Sequence, residues 1–428
     1  MTSPLRLGIA GLGTVGVGLV KIVQRNPELL ALRAGRPITI SAVCAQSRTR
    51  NRGVDISGYA WEDDSVALAR RADVDVVVEL MGGENGPAKA LTEAAIAAGK
   101  DVVTANKAML AMHGQALAEA AEAKGVALRY EAAVAGGIPV IKVLGEGLAG
   151  NLITSVKGVM NGTCNYILTR MEDASLPYET VFDEAAQLGY LEADPTLDVG
   201  GIDAAHKLTL LSALAFGVKP CFDAIDVTGI ERISIEDIRA AADLGLRIKL
   251  LGVARITGRG LEQSMQPCLV PADSPLGQLK GGTNMVVIEG DAVDQIVLRG
   301  PGAGEGPTAS AVMADVIDIA RGIRLPVFGQ PATTLQDAVS AKATAPKPYY
   351  LRMTLLDKPG ALAKVAEALA NAGVSINRMR QYGHQDTEAP VLIITHKTTR
   401  DAIDHALALA STTHVLVGEP VAMAIEAD

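Results

Sequence analysis

The stretch Leu5-Arg6-Leu7-Gly8-Ile9-Ala10-Gly11-Leu12-Gly13-Thr14-Val15-Gly16-Val17-Gly18-Leu19-Val20-Lys21 decides the reading of the fold. Its first six residues form a short apolar run suited to a buried strand, and the residues after Gly13 carry the apolar spacing of a helix. Between them lies GLGTVG, a G-x-G-x-x-G set in the strand-turn-helix context that gives the motif its meaning. Glycine there permits a tight turn and lets a pyrophosphate approach backbone N–H groups at the positive end of a helix. Gly11, Leu12, Gly13, Thr14, Val15 and Gly16 are therefore read as a dinucleotide site.

Outward from that loop, short apolar runs alternate with helical stretches. Leu5 to Ala10, Ile38 to Ala45, Val74 to Leu80, Asp101 to Thr104 and Ala127 to Glu131 read as strands, and Ala88 to Ala98 and Gly114 to Lys124 as helices. That alternation predicts an α/β fold with a Rossmann-type doubly wound parallel sheet over 1–149. An α+β substrate and dimerisation domain is expected over 150–306, with helices at Glu179 to Leu188 and Ile202 to Ala215. Residues 307–340 open with a helical pattern from Pro307 to Gly322 and are expected to return to the nucleotide-binding domain. The small, basic, proline-containing stretch 341–348 reads as a linker. Over 349–428 the order of apolar and helical segments is βαββαβ, which is ferredoxin-like.

Composition narrows the function. Of 428 residues 49% are hydrophobic but only 3% aromatic, as expected of aliphatic helices packed on buried parallel strands. A net charge of -9 with no block of Lys and Arg argues against a nucleic-acid partner. Cys44, Cys164, Cys221 and Cys268 show no ligand spacing, so reduced thiols in a reducing compartment are expected, not a zinc site. No uncharged apolar run spans a bilayer and glycines interrupt Leu7 to Val20, so the expectation is a cytoplasmic protein without a membrane partner.

Three further places carry chemistry. After the second strand, where an NAD site usually presents an acid, the chain reads Gln46-Ser47-Arg48-Thr49-Arg50, and Arg48 suits a 2'-phosphate; a solvated basic loop is the plainer alternative. Thr104 and Lys107, in Val102-Val103-Thr104-Ala105-Asn106-Lys107, end a strand, where α/β enzymes place cofactor and substrate contacts; Gly82 and Gly83 follow another strand and read either as a nicotinamide contact or a turn. Asp203 and Lys207 lie four apart on an otherwise apolar helix, hence on one face. A buried lysine beside a carboxylate is suited to handing a proton to a carbonyl oxygen, or else forms an ordinary helix ion pair. His206 reads as a packing residue.

These motifs, with Asn161 to Leu168 (NGTCNYIL), Gly189 to Pro195 (GYLEADP), Asp198 to Lys207 (DVGGIDAAHK) and Gly300 to Val312 (GPGAGEGPTASAV), resemble homoserine dehydrogenase over about residues 1–335. Tyr350 to Ile425, with Asp357-Lys358-Pro359-Gly360 in its first turn, resembles the ACT regulatory domain that many members append. The resemblance implies NAD(P)H-dependent reduction of L-aspartate 4-semialdehyde to L-homoserine, in threonine, methionine and isoleucine biosynthesis. It implies Lys207 as proton donor oriented by Asp203, Lys107 near the carbonyl and nicotinamide, and Glu192 and Asp198, with Lys207, around the substrate. It further implies sodium or another monovalent cation held by Glu131 and the carbonyls of Val134, Gly136 and Ile138, and a cofactor contact at Gly302. For the tail it implies feedback by an amino acid, often threonine, around Gly360, Leu362, Asn377 and Arg378, in a homodimer or homotetramer.

Two other readings stay open at this point: a nicotinamide-dependent dehydrogenase of another small aldehyde or 2-oxo acid, and a non-catalytic amino-acid sensor. Glu192 and Asp198 suit a substrate with an amino group, and Lys107 and Lys207 with their carboxylate neighbours suit catalysis.

Overall fold

The opening run forms strand β1, Leu5–Ala10, and the glycine loop after it leads directly into helix α1, Thr14–Arg25. The structure, a computed structural model, describes residues 3–191, 194–341, 345–381 and 387–426. Internal contacts divide the chain into two units, one formed by 1–162, 203–225 and 282–338, the other by 163–202, 226–281 and 339–428.

In the first unit β1 is followed by β2 (Ile38–Cys44), β3 (Ala60–Glu62), β4 (Val76–Glu79), β5 (Asp101–Thr104) and β6 (Leu128–Arg129). All pair in parallel in the order β3-β2-β1-β4-β5-β6. The chain winds outward from β1 to β3 and then returns to lay β4 on the other side of β1. That reversal opens a crevice at the carboxyl ends of β1 and β4, where doubly wound sheets bind their ligands. Leu7, Ile9, Val76, Val78 and Val103 are buried from the sheet side, with Leu19 and Val20 of α1 in the same core.

The same unit contains β7 (Ile153–Val159), helix α2 (Ile202–Phe216), and strands β8 (Thr283–Gly290) and β9 (Asp294–Pro301), with β8 antiparallel to both β7 and β9. Helix α3, Glu305–Ala320, packs on α1: a Cβ at Gly18 would stand 2.7 Å from the Glu305 carbonyl oxygen, and Lys21 pairs with Glu305 at 2.7 Å. This helix begins before the expected Pro307, a position compatible with the first turn because proline lacks only an N–H that has no partner there. The expected strand Ala127 to Glu131 shrinks to Leu128–Arg129, because Glu131 opens a short helical turn and directs its carboxylate to the next segment's N–H groups.

The second unit holds strands Leu246–Thr257 and Gly260–Pro271 as an antiparallel hairpin. The C-terminal strand Leu416–Ile425 runs parallel to the hairpin's second strand, with Cys268 opposite Ala424. Tyr349–Leu356, Glu388–Thr395 and Ile376–Gln381 continue the sheet, and with helices Ala361–Asn371 and Arg400–Thr412 they give the βαββαβ order its ferredoxin-like form. The stretch expected as a linker is fastened where it is described. The Ala341 N–H donates to the Leu261 carbonyl, and the Lys347 ammonium is buried between Glu262 and Glu426.

Candidate active site

The glycine loop has the geometry its residues imply. Gly11 has φ +99°, and a Cβ there would stand 2.5 Å from the Leu80 carbonyl oxygen; a Cβ at Gly16 would collide with the Gly11 carbonyl. Gly13 faces open space, and α1 starts after it with no side-chain cap and no acid in its first turn. Its first N–H groups and the positive end of the helix are left for an anion. Beyond β2, Arg52 donates to the carbonyls of Leu12, Ser47 and Arg50, so this arginine braces the loop. Arg48 and Arg52 lie over the Trp61 ring at 6.0 and 5.7 Å from its centroid. Arg52 escaped the sequence reading because its partners are backbone carbonyls, which leave no mark on composition.

The lysine on α2 is buried, with 9% of the residue exposed. Its ammonium donates to Asp203 Oδ2 at 2.7 Å and to the Met160 carbonyl at 2.8 Å, which among the described residues leaves a third N–H. Lys107 Nζ lies 3.1 Å from Asp203 Oδ1, so one carboxylate stands between two ammonium groups. Asn161 also donates to Asp203 at 3.2 Å, and Asn284 shares the Met160 carbonyl at 3.0 Å. Burial alone would raise the pKa of Asp203, but Lys207 and then Lys107 outweigh it and hold the carboxyl well below its ordinary range. His206, on the same helix, lies 4.7 Å from the Phe222 ring between centroids, and burial lowers its pKa. Asn161 carried no sequence signal beyond its motif and Asn284 none at all, since their partners are distant in the chain.

Thr104 is fully buried and its hydroxyl donates to Glu79, so a cofactor contact there falls to its backbone. A Cβ at Gly302 would collide with the Asn284 side chain, and one at Gly136 with the Gly302 carbonyl, so these two glycines let the loops meet. Among the described residues the buried Asn284 Oδ1 beside them has no hydrogen-bond partner. Glu131 is 1% exposed and accepts the N–H groups of Ile141 and Lys142, each at 2.9 Å. Burial, then the nearby charge of Asp315, pushes Glu131 up to about 7. Among the described residues the carbonyls of Val134 and Gly136 accept no hydrogen bond, while that of Ile138 accepts the Val140 N–H at 2.8 Å. No group of three His, Cys, Asp or Glu suited to a metal occurs among the described residues.

Asp198 belongs to the second unit, where it is buried and its carbonyl accepts the Cys164 thiol at 3.2 Å. Glu192 lies outside the described residues. Also in that unit, a cleft of about 250 Å³ lies between helix Ile235–Asp243 and the ferredoxin-like sheet, floored by Tyr350, Leu392 and Ile394. Arg380 and Asp243 pair at 3.1 Å on its rim, and Arg378 lines it without an ion-pair or hydrogen-bond partner among the described residues.

Family models match this arrangement in three consecutive pieces: homoserine dehydrogenase, NAD binding domain, over residues 11–131; homoserine dehydrogenase over 139–317; and ACT domain over 349–409. The chain is 44% identical over 413 residues to homoserine dehydrogenase from Neisseria gonorrhoeae, covering 95% of this chain and 94% of that one. The chain belongs to the homoserine dehydrogenase family. Homoserine dehydrogenase from Pseudomonas aeruginosa is 41% identical, covering 99% of both chains. The crystal structure of a homoserine dehydrogenase from Thiobacillus denitrificans superposes with a TM-score of 0.93 at 39% identity, covering 99% of both. As a homoserine dehydrogenase family member the chain is an NAD(P)-dependent oxidoreductase with an ACT domain. No helix among the described residues is long and apolar enough to cross a membrane.

Proposed function

We propose that the chain catalyses the reversible reduction of L-aspartate 4-semialdehyde to L-homoserine, with the amino group of the substrate met by Glu192 and Asp198. The observation that carries this reading is Asp203 held between the ammonium groups of Lys207 and Lys107, in the unit that bears the glycine loop. When bound, the reduced nicotinamide supplies the hydride that the aldehyde carbon accepts. Lys207 turns its third N–H toward the aldehyde oxygen and yields a proton as negative charge develops there. Asp203 fixes that ammonium, and Lys107, with a side chain 31% exposed, stands nearer solvent beside the carbonyl and the nicotinamide.

Gly11 to Gly16 hold the pyrophosphate, with further contacts from Thr104, Lys107 and Gly302, and Arg48 gives NADP an advantage over NAD through its 2'-phosphate. Glu131 with the carbonyls of Val134, Gly136 and Ile138 is an all-oxygen donor set, which suits a hard monovalent cation such as sodium. The nucleotide-binding, substrate, return, linker and regulatory roles are divided at 149, 306, 340 and 348. An amino acid effector, threonine, fits the cleft beside the ferredoxin-like sheet: its carboxylate at Arg378, its ammonium at Asp243 and its side chain on Leu392 and Ile394. The protein acts in the cytoplasm as a homodimer or homotetramer.

The test is purified protein with aspartate semialdehyde and NADPH or NADH, followed by loss of reduced-nicotinamide absorbance with and without threonine. Turnover is expected, and its absence would refute the reading. Arg48→Ala should raise KM for NADPH by about 10-fold or more, the size of one charged hydrogen bond, and leave that for NADH unchanged. Arg378→Ala should abolish inhibition by threonine without altering the uninhibited rate.

A further inference from the structure

The carboxyl end of β4 carries a glutamate that the roles above leave unused. Glu79 is wholly buried and stands opposite Ala10 of β1 and Thr104 of β5, at the point where the strand order reverses. Its Oε1 accepts the N–H groups of Met81 at 2.7 Å and Gly82 at 3.2 Å, and its Oε2 accepts the Thr104 hydroxyl at 2.6 Å. The Thr104 oxygen in turn accepts the Asn106 N–H at 3.0 Å. Asn106 donates its side-chain N–H to the Gly83 carbonyl at 2.7 Å and accepts the Met109 N–H at 3.1 Å. That last bond caps the helix Lys107–Lys124, whose first residue is the lysine paired with Asp203. One side chain thus ties together the loops after β4 and β5.

Two features argue that this is more than packing. Among the described residues no lysine or arginine pairs with Glu79, and a carboxylate buried without a cation is costly where an apolar side chain of similar size would fill the space. The turn it holds also needs holding: Gly82 and Gly83 have φ +78° and +86°, and a Cβ at Gly82 would meet nothing within 4 Å. Neither residue is wedged by neighbours, so the hydrogen bonds to Glu79 are what holds this part of the turn.

We propose that Glu79 is a positioning residue for the reaction. Its carboxylate fixes the Met81 to Gly83 turn and, through Thr104 and Asn106, the first turn of the following helix, and so sets where the Lys107 ammonium stands. The inference rests on the reading above that the nicotinamide lies at this strand end. It identifies a role for a group that touches neither substrate nor cofactor and acts through Lys107 and the turn.

The test uses the full chain and the variants Glu79→Gln and Thr104→Val. A displacement of about 1 Å at the reacting centre costs up to about 100-fold in rate, so each variant should lose about 10- to 100-fold in kcat. In Glu79→Gln the affinity for NADPH, read from quenching of Trp61, should change by less than about 3-fold, because the glycine loop is untouched. In Thr104→Val the amide exchange of the Asn106 to Met109 segment should quicken by about 10-fold or more as the brace is lost. In a Lys107→Ala background Glu79→Gln should cost less than about 3-fold more, since its effect runs through that lysine. Unchanged kcat, effects that multiply with Lys107→Ala, or unchanged exchange would each overturn the proposal. Should Glu79→Gln fail to fold, Thr104→Val, which leaves the carboxylate in place, carries the same expectations for kcat and for amide exchange. A wild-type chain without turnover on aspartate semialdehyde would count against the assigned reaction instead, and the exchange measurement would still decide the hold on the loop.

Discussion

In the first unit one carboxylate, Asp203, stands between Lys207 and Lys107; in the second, two carboxylates, Glu262 and Glu426, stand between Lys347 and Arg255. The side chains are of the same kinds and both clusters are largely buried, yet their balance differs. Among the described residues the first sets two ammonium groups against one carboxylate and leaves an N–H of Lys207 without a partner. The second is balanced: Lys347 contacts both carboxylates, and so does Arg255. A buried ammonium that keeps an N–H to give is poised to meet a charge that develops only during reaction, whereas a cluster whose cations are each shared between two carboxylates serves to join segments. The second cluster ties residue 347 to Glu262 and Glu426, which lie 85 and 79 residues away in the chain.

Replacement of the lysines should separate the two. Lys347→Met leaves two buried carboxylates facing one arginine and should lower stability by about 3–5 kcal/mol in denaturant titration, with activity retained under native conditions. Lys207→Met leaves Asp203 paired with Lys107 and Asn161, and should cost no more than about 1–2 kcal/mol. Equal destabilisation would erase the distinction.

Asp203→Asn sharpens it further through pH. The folded-state pKa of Asp203 is depressed, so its contribution to stability is present above the unfolded value of about 3.9 and is lost as pH falls below that. The stability gap between wild type and variant should therefore be constant near neutrality and narrow below about pH 4. A gap that instead opens toward acid would show that the carboxyl is not held ionised by the lysines. The smallest expected effect is that of the double replacement Lys347→Met with Glu262→Gln, which removes a cation and an anion together and should recover part of the stability lost by Lys347→Met alone.

How far the sequence spoke follows the same physics. The glycine loop, the alternation of apolar runs and the i, i+4 pair Asp203 and Lys207 are local patterns, and the structure places them as their spacing implies. That Lys347 fastens the stretch 341–348 was not legible, because its partners Glu262 and Glu426 are remote in the chain. Asn161, Asn284 and Glu79 stayed silent for a related reason: each has a side-chain or carbonyl partner that only the folded chain brings near, such as Asp203, 42 residues beyond Asn161, or Thr104, 25 beyond Glu79. Arg52 was overlooked beside Arg48 because a guanidinium on backbone carbonyls has no complementary residue to search for. The ACT-like tail was legible as an order of elements, while the pairing of its last strand with Gly260–Pro271 was not, since register between distant strands leaves no local pattern.

The account stands on Lys207 as the group that exchanges a proton with the substrate oxygen. Because the donor in reduction is the acceptor in oxidation, the decisive measurement is kcat of Lys207→Ala in both directions at saturating cofactor, with the Kd for NADPH determined on the same preparation. A fall of about 10²- to 10⁴-fold both for aspartate semialdehyde and for homoserine, with cofactor affinity kept, is the expected result. A variant within a few-fold of wild type in either direction would contradict it.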